Sequence, residues 1–311
     1  MSAQRIIIDT DPGIDDALAI LLLAASPEIS VEAITVTHGN TTVEKCATNA
    51  LKLVELARIT HVPVALGAST PLVRELGIAE ETHGDGGLGY AVLPESSTKL
   101  SSKHAIDVII ELIHKYPHEI TMLCIGPMTN LALAIRRDPS IVSLIKRVVS
   151  MAGTIHYPGN ATPSSEYNVF CDPHAYDIVV RAGLDLTVVP LDVTYQCLFM
   201  KSHIDRMTSA RPEIVKFIDD STRFYMEFHD EYQNIDGCAI NDPLAAAILI
   251  RPDLVELVEY HMTVELSGKH AGAKTSVDHF KAMGHDPNVK VAMKVNVDAF
   301  MDFLIERINT L

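Results

Sequence analysis

Tryptophan is absent from this 311-residue chain, and aromatic residues make up only 5% of it. Any aromatic wall must therefore come from its tyrosines and phenylalanines. Cysteine is also scarce. Cys46, Cys124, Cys171, Cys197 and Cys238 are odd in number, widely spaced and without a CxxC pair. Neither a disulfide scaffold nor a zinc site is expected on that pattern. Positive charge is in deficit, with 25 Lys and Arg against 40 Asp and Glu and a formal net charge of −15. Phosphate contacts need clustered Lys and Arg, so neither nucleic acid nor an anionic membrane is an expected partner. No apolar run reaches the roughly 18 residues that span a bilayer. The opening MSAQR runs straight into a strand-like segment, which leaves no room for a signal peptide, so a cytoplasmic location is expected.

What is present is a large apolar fraction, 48% of residues, enough for a sizeable core. The first two-thirds alternates short Val/Ile-rich runs with helical patterns. Strands are expected at 5–9, 31–37, 62–66, 119–125, 147–152 and 186–191. Helices are expected at 14–26, 43–58, 103–116, 128–137 and 173–182. This βαβα order predicts an α/β fold: an open, mostly parallel, doubly wound sheet with helices on both faces. The last third adds an amphipathic helix at 212–232, a helix starting near Asp242, strands at 256–266 and 289–296, and a helix at 297–309. With no Pro/Ser-rich linker and no internal repeat, residues 1–311 are expected to form a single domain.

Negative charge is concentrated at one place. In "RIIIDTDPGIDDALAILLLAA", Asp9, Asp11, Asp15 and Asp16 fall within eight residues between two apolar runs. Asp9 closes the strand, Asp11 enters the loop, Pro12 and Gly13 shape a turn, and Asp15 and Asp16 open the helix. A helix N-terminus stabilises an anion by only about 0.3–1 kcal/mol, too little to hold several converging carboxylates. A hard cation would do so. All the local donors are oxygens, which favours Ca²⁺ or Mg²⁺ over zinc.

DTDPGIDDA strongly resembles the signature of the inosine-uridine-preferring nucleoside hydrolases. The resemblance continues through THGN (37–40), HGDGGLG (83–89), GPMTNLALA (126–134), SMAG (150–153), GNATPSSEYNVFCDP (159–173) and NDP (241–243). It implies a Ca²⁺-dependent enzyme that cleaves the N-glycosidic bond of ribonucleosides with water, and a homodimer or homotetramer. By position, Asp11 would be general base and metal ligand, Asp16 a bidentate ligand, Asp242 the distal ligand and Ile125 a backbone-carbonyl ligand. Asp15, Asn40, Asn160, Glu166 and Asn168 would grip the ribose, Met151 would lie beside the sugar, and Asp9 would support the others. The implied chemistry is coherent. Asp, Asn and Glu together satisfy the donors and acceptors of ribose hydroxyls. Asp11 would deprotonate a water held by the ion, and nearby oxygens would stabilise an oxocarbenium-like state.

The pattern departs from the family at the leaving group. Many members carry His immediately before the distal aspartate, where this chain has Asn241, and others enclose a purine between tryptophans. Asn can hydrogen-bond but cannot supply a proton. The expected substitutes are His83, on a loop over the base, and Tyr225 with His229, which share a helix face at i and i+4. Read by residue type alone, Glu166 and Asn168 alternate on an extended, solvent-facing segment, and His229 is an exposed helical histidine.

Two alternatives follow. A catalytically weak ribose- or nucleoside-binding homologue is favoured by Asn241. A Mg²⁺-dependent haloacid-dehalogenase-type phosphatase shares two Asp residues after the first strand, but Gly13 stands where that pattern needs Thr or Val. GDGGLG at 84–89 fits G-x-G-x-x-G but lacks the flanking strand and helix, so it reads as a flexible loop beside the site. HKYPH at 114–118 reads as a helix end, HFKAMGHD at 279–286 as a polar loop, and Met200, Met207 and Met226 as core fillers.

Overall fold

A computed structural model of the chain describes residues 3–311. The sheet begins with β1 (Gln4–Thr10), where Ile6 and Ile8 enter one apolar core and Ile7 the core on the opposite face. A strand buried on both faces is apolar at successive positions, so its sequence does not alternate. The following strands are β2 (Ile29–Val36), β3 (Val64–Leu66), β4 (Thr121–Cys124), β5 (Arg147–Met151) and β6 (Leu186–Val189). Their spatial order is β3-β2-β1-β4-β5-β6, all parallel, extended by Val289–Val295 parallel to β6 and then by Val255–Tyr260 antiparallel.

This order sets the position of the site. The chain runs outward from β1 through β2 to β3, then returns to place β4 on the other side of β1. The reversal opens a crevice at the carboxyl ends of β1 and β4, where open α/β sheets bind ligands. The loops after β1, β2, β4, β5 and β6 all converge there.

Helix α1 (Ile14–Ala24) is buried along almost its whole length, including Asp15 and Asp16. It packs against the short helix Asn241–Ala247, which is buried throughout. Beyond their first turns both are apolar on all sides, as expected for helices enclosed by other layers. Their contact brings Asp242 to the N-terminus of α1, which carries Asp15 and Asp16.

The expected element order holds, with boundaries shifted by a few residues. The run 256–266 is not one strand. It ends at Tyr260, and Met262–Val264 instead pairs with Thr275–Val277 in a separate antiparallel ribbon. Residues 114–118 do end a helix, Ala105–Lys115. Met207 is buried and Met226 lies half-buried on the core, but Met200 is exposed at the start of a short helix and fills no gap.

Candidate active site

Asp11 sits at the base of the crevice with no solvent exposure. Its Oδ2 accepts the Asn40 backbone N–H at 2.7 Å, while Oδ1 has no partner. Gly39 and Gly126 press on the carboxylate from two loops, and a Cβ at either would overlap an Asp11 oxygen. Asp16 accepts from the Thr10 hydroxyl, from Gly13 N–H at 2.9 Å and from Asn40 Nδ2 at 2.9 Å. The Gly13 bond is the return half of a capping box. Asp15, Asp16 and Asp242 each direct an oxygen into one cluster within 4.8 Å. This compact trio contains Asp15; Asp11 lies beside it.

The electrostatics call for a counter-charge. Burial, with repulsion from Asp16, pushes the Asp11 carboxyl well above its ordinary range. Burial and Asp15 raise Asp16 to about 7. Asp242 is pushed well up by burial and by Asp15, Asp16 and Asp11. Asp9, which accepts from Thr35 and Asn130, is raised to about 6 by burial, and its Oδ2 is unpartnered. No Lys or Arg lines the cavity. Buried carboxylates without a basic partner must bind protons or a cation. The all-oxygen donor set and the free Asp11 Oδ1 fit a hard divalent ion.

The sugar side is built from caps and carbonyls. Glu166 is the N-cap of a helix, Tyr167–Cys171, and accepts backbone N–H groups from Asn168, Val169 and Gly153. The extended, solvent-facing reading of this segment is therefore corrected: Glu166 and Asn168 are both buried. Asn168 Nδ2 donates to the Ile125 carbonyl at 3.0 Å and the Met151 carbonyl at 3.1 Å. One side-chain amide thus ties together the loops after β4 and β5. Asn160 Oδ1 caps Tyr167 N–H at 2.9 Å. Asp15, Asn40, Met151, Asn160, Glu166, Asn168 and Ile125 all line the same cavity.

His83, Tyr225, His229 and Asn241 line its other end. His229 is only 1% exposed, which corrects the reading of a solvated helical histidine. His83 lies in a short helix, Glu80–His83, and is also buried. The GDGGLG segment is held by Asn49 Nδ2, which bonds both Gly86 and Pro12 carbonyls, and by Lys45 on Asp85. No strand precedes it, so the dinucleotide reading stays excluded. Tyr225 stands between the two imidazoles, 5.3 Å from His83 and 4.5 Å from His229 between ring centroids. Asn241 gives its backbone N–H and Nδ2 to Asp15 Oδ2, and its Oδ1 is buried without a partner. Sequence reasoning missed Tyr195, Phe228 and Gln233, which complete the outer wall. Phe228 shares the face of Tyr225 at i+3, a signal that was available. Tyr195 follows β6 with no local pattern to mark it.

A parallel sheet with a carboxylate-rich crevice at its switch point, walled by amides and aromatic rings, offers oxygen donors for a hard cation beside a wall for a polar, ring-bearing ligand. Residues 6–302 match the family described as inosine-uridine preferring nucleoside hydrolase. Over 307 residues, 98% of both chains, the sequence is 35% identical to a pyrimidine-specific ribonucleoside hydrolase RihA of Enterobacter sp. (strain 638). It is 37% identical over the same span to its counterpart in Salmonella gallinarum. Among solved structures, a plant nucleoside hydrolase, PpNRh1, superposes with a TM-score of 0.93 at 32% identity, covering 98% of this chain and 99% of the other. A purine-preferring ribonucleoside hydrolase from Gardnerella vaginalis superposes with a TM-score of 0.92 at 32% identity, covering 98% of each chain. The chain belongs to the inosine-uridine preferring nucleoside hydrolase family, and its class is N-ribosyl hydrolase. The phosphatase reading falls with that assignment.

Proposed function

We propose that this chain hydrolyses the N-glycosidic bond of ribonucleosides with Ca²⁺ held by Asp11, Asp16, Asp242 and the Ile125 carbonyl. The observation that carries the reading is the partnerless Asp11 Oδ1, buried among further carboxylates beside a cavity that no Lys or Arg lines. A bound Ca²⁺ would neutralise these carboxylates, hold vicinal hydroxyls and make water easier to deprotonate.

The chain's own residues do the rest. Asp11 Oδ1, free of other partners, takes the proton of the attacking water. Asp15, Asn40, Asn160, Glu166 and Asn168 bind the ribose hydroxyls. Asn40 and Asn241 have committed their amide nitrogens to carboxylates, so each offers a carbonyl oxygen. The carboxylate and amide oxygens around the sugar stabilise the positive charge that builds on it as the bond breaks. Attack by water on the face opposite the base inverts the anomeric carbon. His83 or His229, with Tyr225, activates the departing base, and Met151 packs beside the sugar. The chain acts as one domain, in the cytoplasm and as a homo-oligomer.

Asn241 favours one second reading, a calcium-dependent nucleoside-binding homologue with weak leaving-group activation. One assay separates the two. Purified protein is incubated with inosine, uridine and a nitrophenyl riboside, with Ca²⁺ or chelator, beside a phosphate monoester. Chelator-sensitive release of base from a natural nucleoside is expected. Turnover of the nitrophenyl riboside alone supports the weak homologue, and phosphate release overturns both. His83→Ala and His229→Ala variants that each keep full kcat on inosine and uridine would remove the leaving-group assignment.

A further inference from the structure

We infer that His83 and His229 meet the base with opposite hydrogen-bonding faces: His83 Nε2 is a donor and His229 Nε2 an acceptor. The inference rests on the reading that the base occupies the cavity these rings line.

His83 Nδ1 lies 3.2 Å from the backbone nitrogen of Ile14 and accepts its N–H. A backbone N–H can only donate, so Nδ1 carries a lone pair and a neutral ring carries its proton on Nε2. Flipping the ring would set Cδ2–H against that amide. It would also leave one of the four orphan N–H groups of the first turn of α1 without a partner. His229 has the reverse arrangement. Its Nδ1 lies 2.8 Å from the Tyr225 carbonyl, one helical turn earlier. A carbonyl can only accept, so Nδ1 carries the proton. Burial favours the neutral ring, which leaves the lone pair on Nε2. Neither Nε2 has a hydrogen-bond partner among the described residues.

Two residues of one type are thus given opposite polarity by their backbone partners. Negative charge accumulating on the departing base meets the Nε2–H of His83. That contact is a hydrogen bond from a neutral imidazole, without transfer of the proton. Protonating His83 on Nδ1 would set two N–H groups against each other at Ile14. His229 has a different task. Its lone pair takes an N–H from the edge of the base, so it is a specificity-determining residue. A base whose ring N–H is replaced by C–H leaves that acceptor unpaired, and sites built on such hydrogen bonds discriminate strongly.

The test has two arms on the Ca²⁺-loaded protein. With ¹⁵N-labelled histidine, long-range ¹H–¹⁵N spectra distinguish the tautomers, and His83→Gln and His229→Gln variants assign the signals. His83 is expected protonated on Nε2 and His229 on Nδ1. The same tautomer in both rings, or the reverse pair, overturns the inference. In the second arm, KM is compared for uridine and 3-deazauridine, in which C–H replaces the ring N3–H. Wild type is expected to favour uridine by about tenfold, the worth of one hydrogen bond, and His229→Phe to bind both alike. An unchanged ratio in His229→Phe overturns the assignment of His229. A wild-type protein that hydrolyses no ribonucleoside would overturn the hydrolase reading, whereas the tautomers would still be read directly.

Discussion

The backbone N–H of Asn40 holds Asp11 Oδ2 at 2.7 Å, while Oδ1 of the same carboxylate, equally buried, is bonded to nothing. The side chain is therefore fixed in direction with one basic atom to spare. Asp11→Asn keeps the shape and removes the proposed base. It should lower kcat at least 100-fold, the usual scale for general base catalysis. It should also raise the melting temperature of the chelated protein toward alkaline pH, because Asn cannot ionise where burial and Asp16 oppose the Asp11 charge. Steady-state kinetics and thermal melts check both halves, and activity within tenfold of wild type would exclude Asp11 as base.

Chelated protein should lose stability as pH rises. Asp16 ionises at about 7 in the folded chain and Asp9 at about 6, each raised by burial from an ordinary value of 3.8. A carboxyl raised on folding contributes stability that is fully present below its unfolded pKa and is lost as pH climbs through its folded pKa. The loss should therefore run from about pH 4 to about pH 7. Saturating Ca²⁺ should remove it, adding about 2.7 kcal/mol at a hundredfold excess over Kd. Melting curves against pH, with and without Ca²⁺, test the sign; a flat chelated profile would contradict it.

Gly126→Ala should damage chemistry more than folding. Its Cβ would overlap the free oxygen of Asp11, turning the carboxylate away from its place. A drop in kcat of about tenfold or more is expected, since small misplacements of reacting groups are costly. Gly77→Ala is the control, because nothing lies within 4 Å of its Cβ position. Equal kinetics in the two variants would refute the steric argument.

Asn168→Ala should weaken the cation without touching it. Asn168 orients the Ile125 carbonyl, and loss of such an orienting partner commonly costs about 10–100-fold in metal affinity. Calorimetric titration with Ca²⁺ measures this directly. Unchanged affinity would mean that the Ile125 carbonyl is not a ligand.

The first strand, its loop and α1 were legible because their signal is local: an apolar run, a Pro-Gly turn, and carboxylates opening a fully apolar helix. The distant partner Asp242 was reached through the NDP pattern rather than through periodicity. What stayed hidden was short or non-local. Tyr167–Cys171 is a five-residue helix, too short to show a period, and Glu166 is not among the favoured N-cap types. The burial of His229 depends on which face of Pro212–Gln233 meets the sheet end, although Asp230 and Glu231 beside it point to solvent. The strand expected at 256–266 ran across a break at His261, where the chain leaves one sheet for another.

Asp15 and Asn241 are hydrogen-bonded although 226 positions separate them in sequence. A cation gripped by Asp16 and Asp242 would therefore be a reversible cross-link between the first strand unit and the final third of the chain. Cross-links that close long loops remove the most freedom from the unfolded chain, although the gain grows only as the logarithm of loop length. An ion proposed to ease the deprotonation of water would then also tie the ends of the fold together. Starving the enzyme of that ion would release both at once.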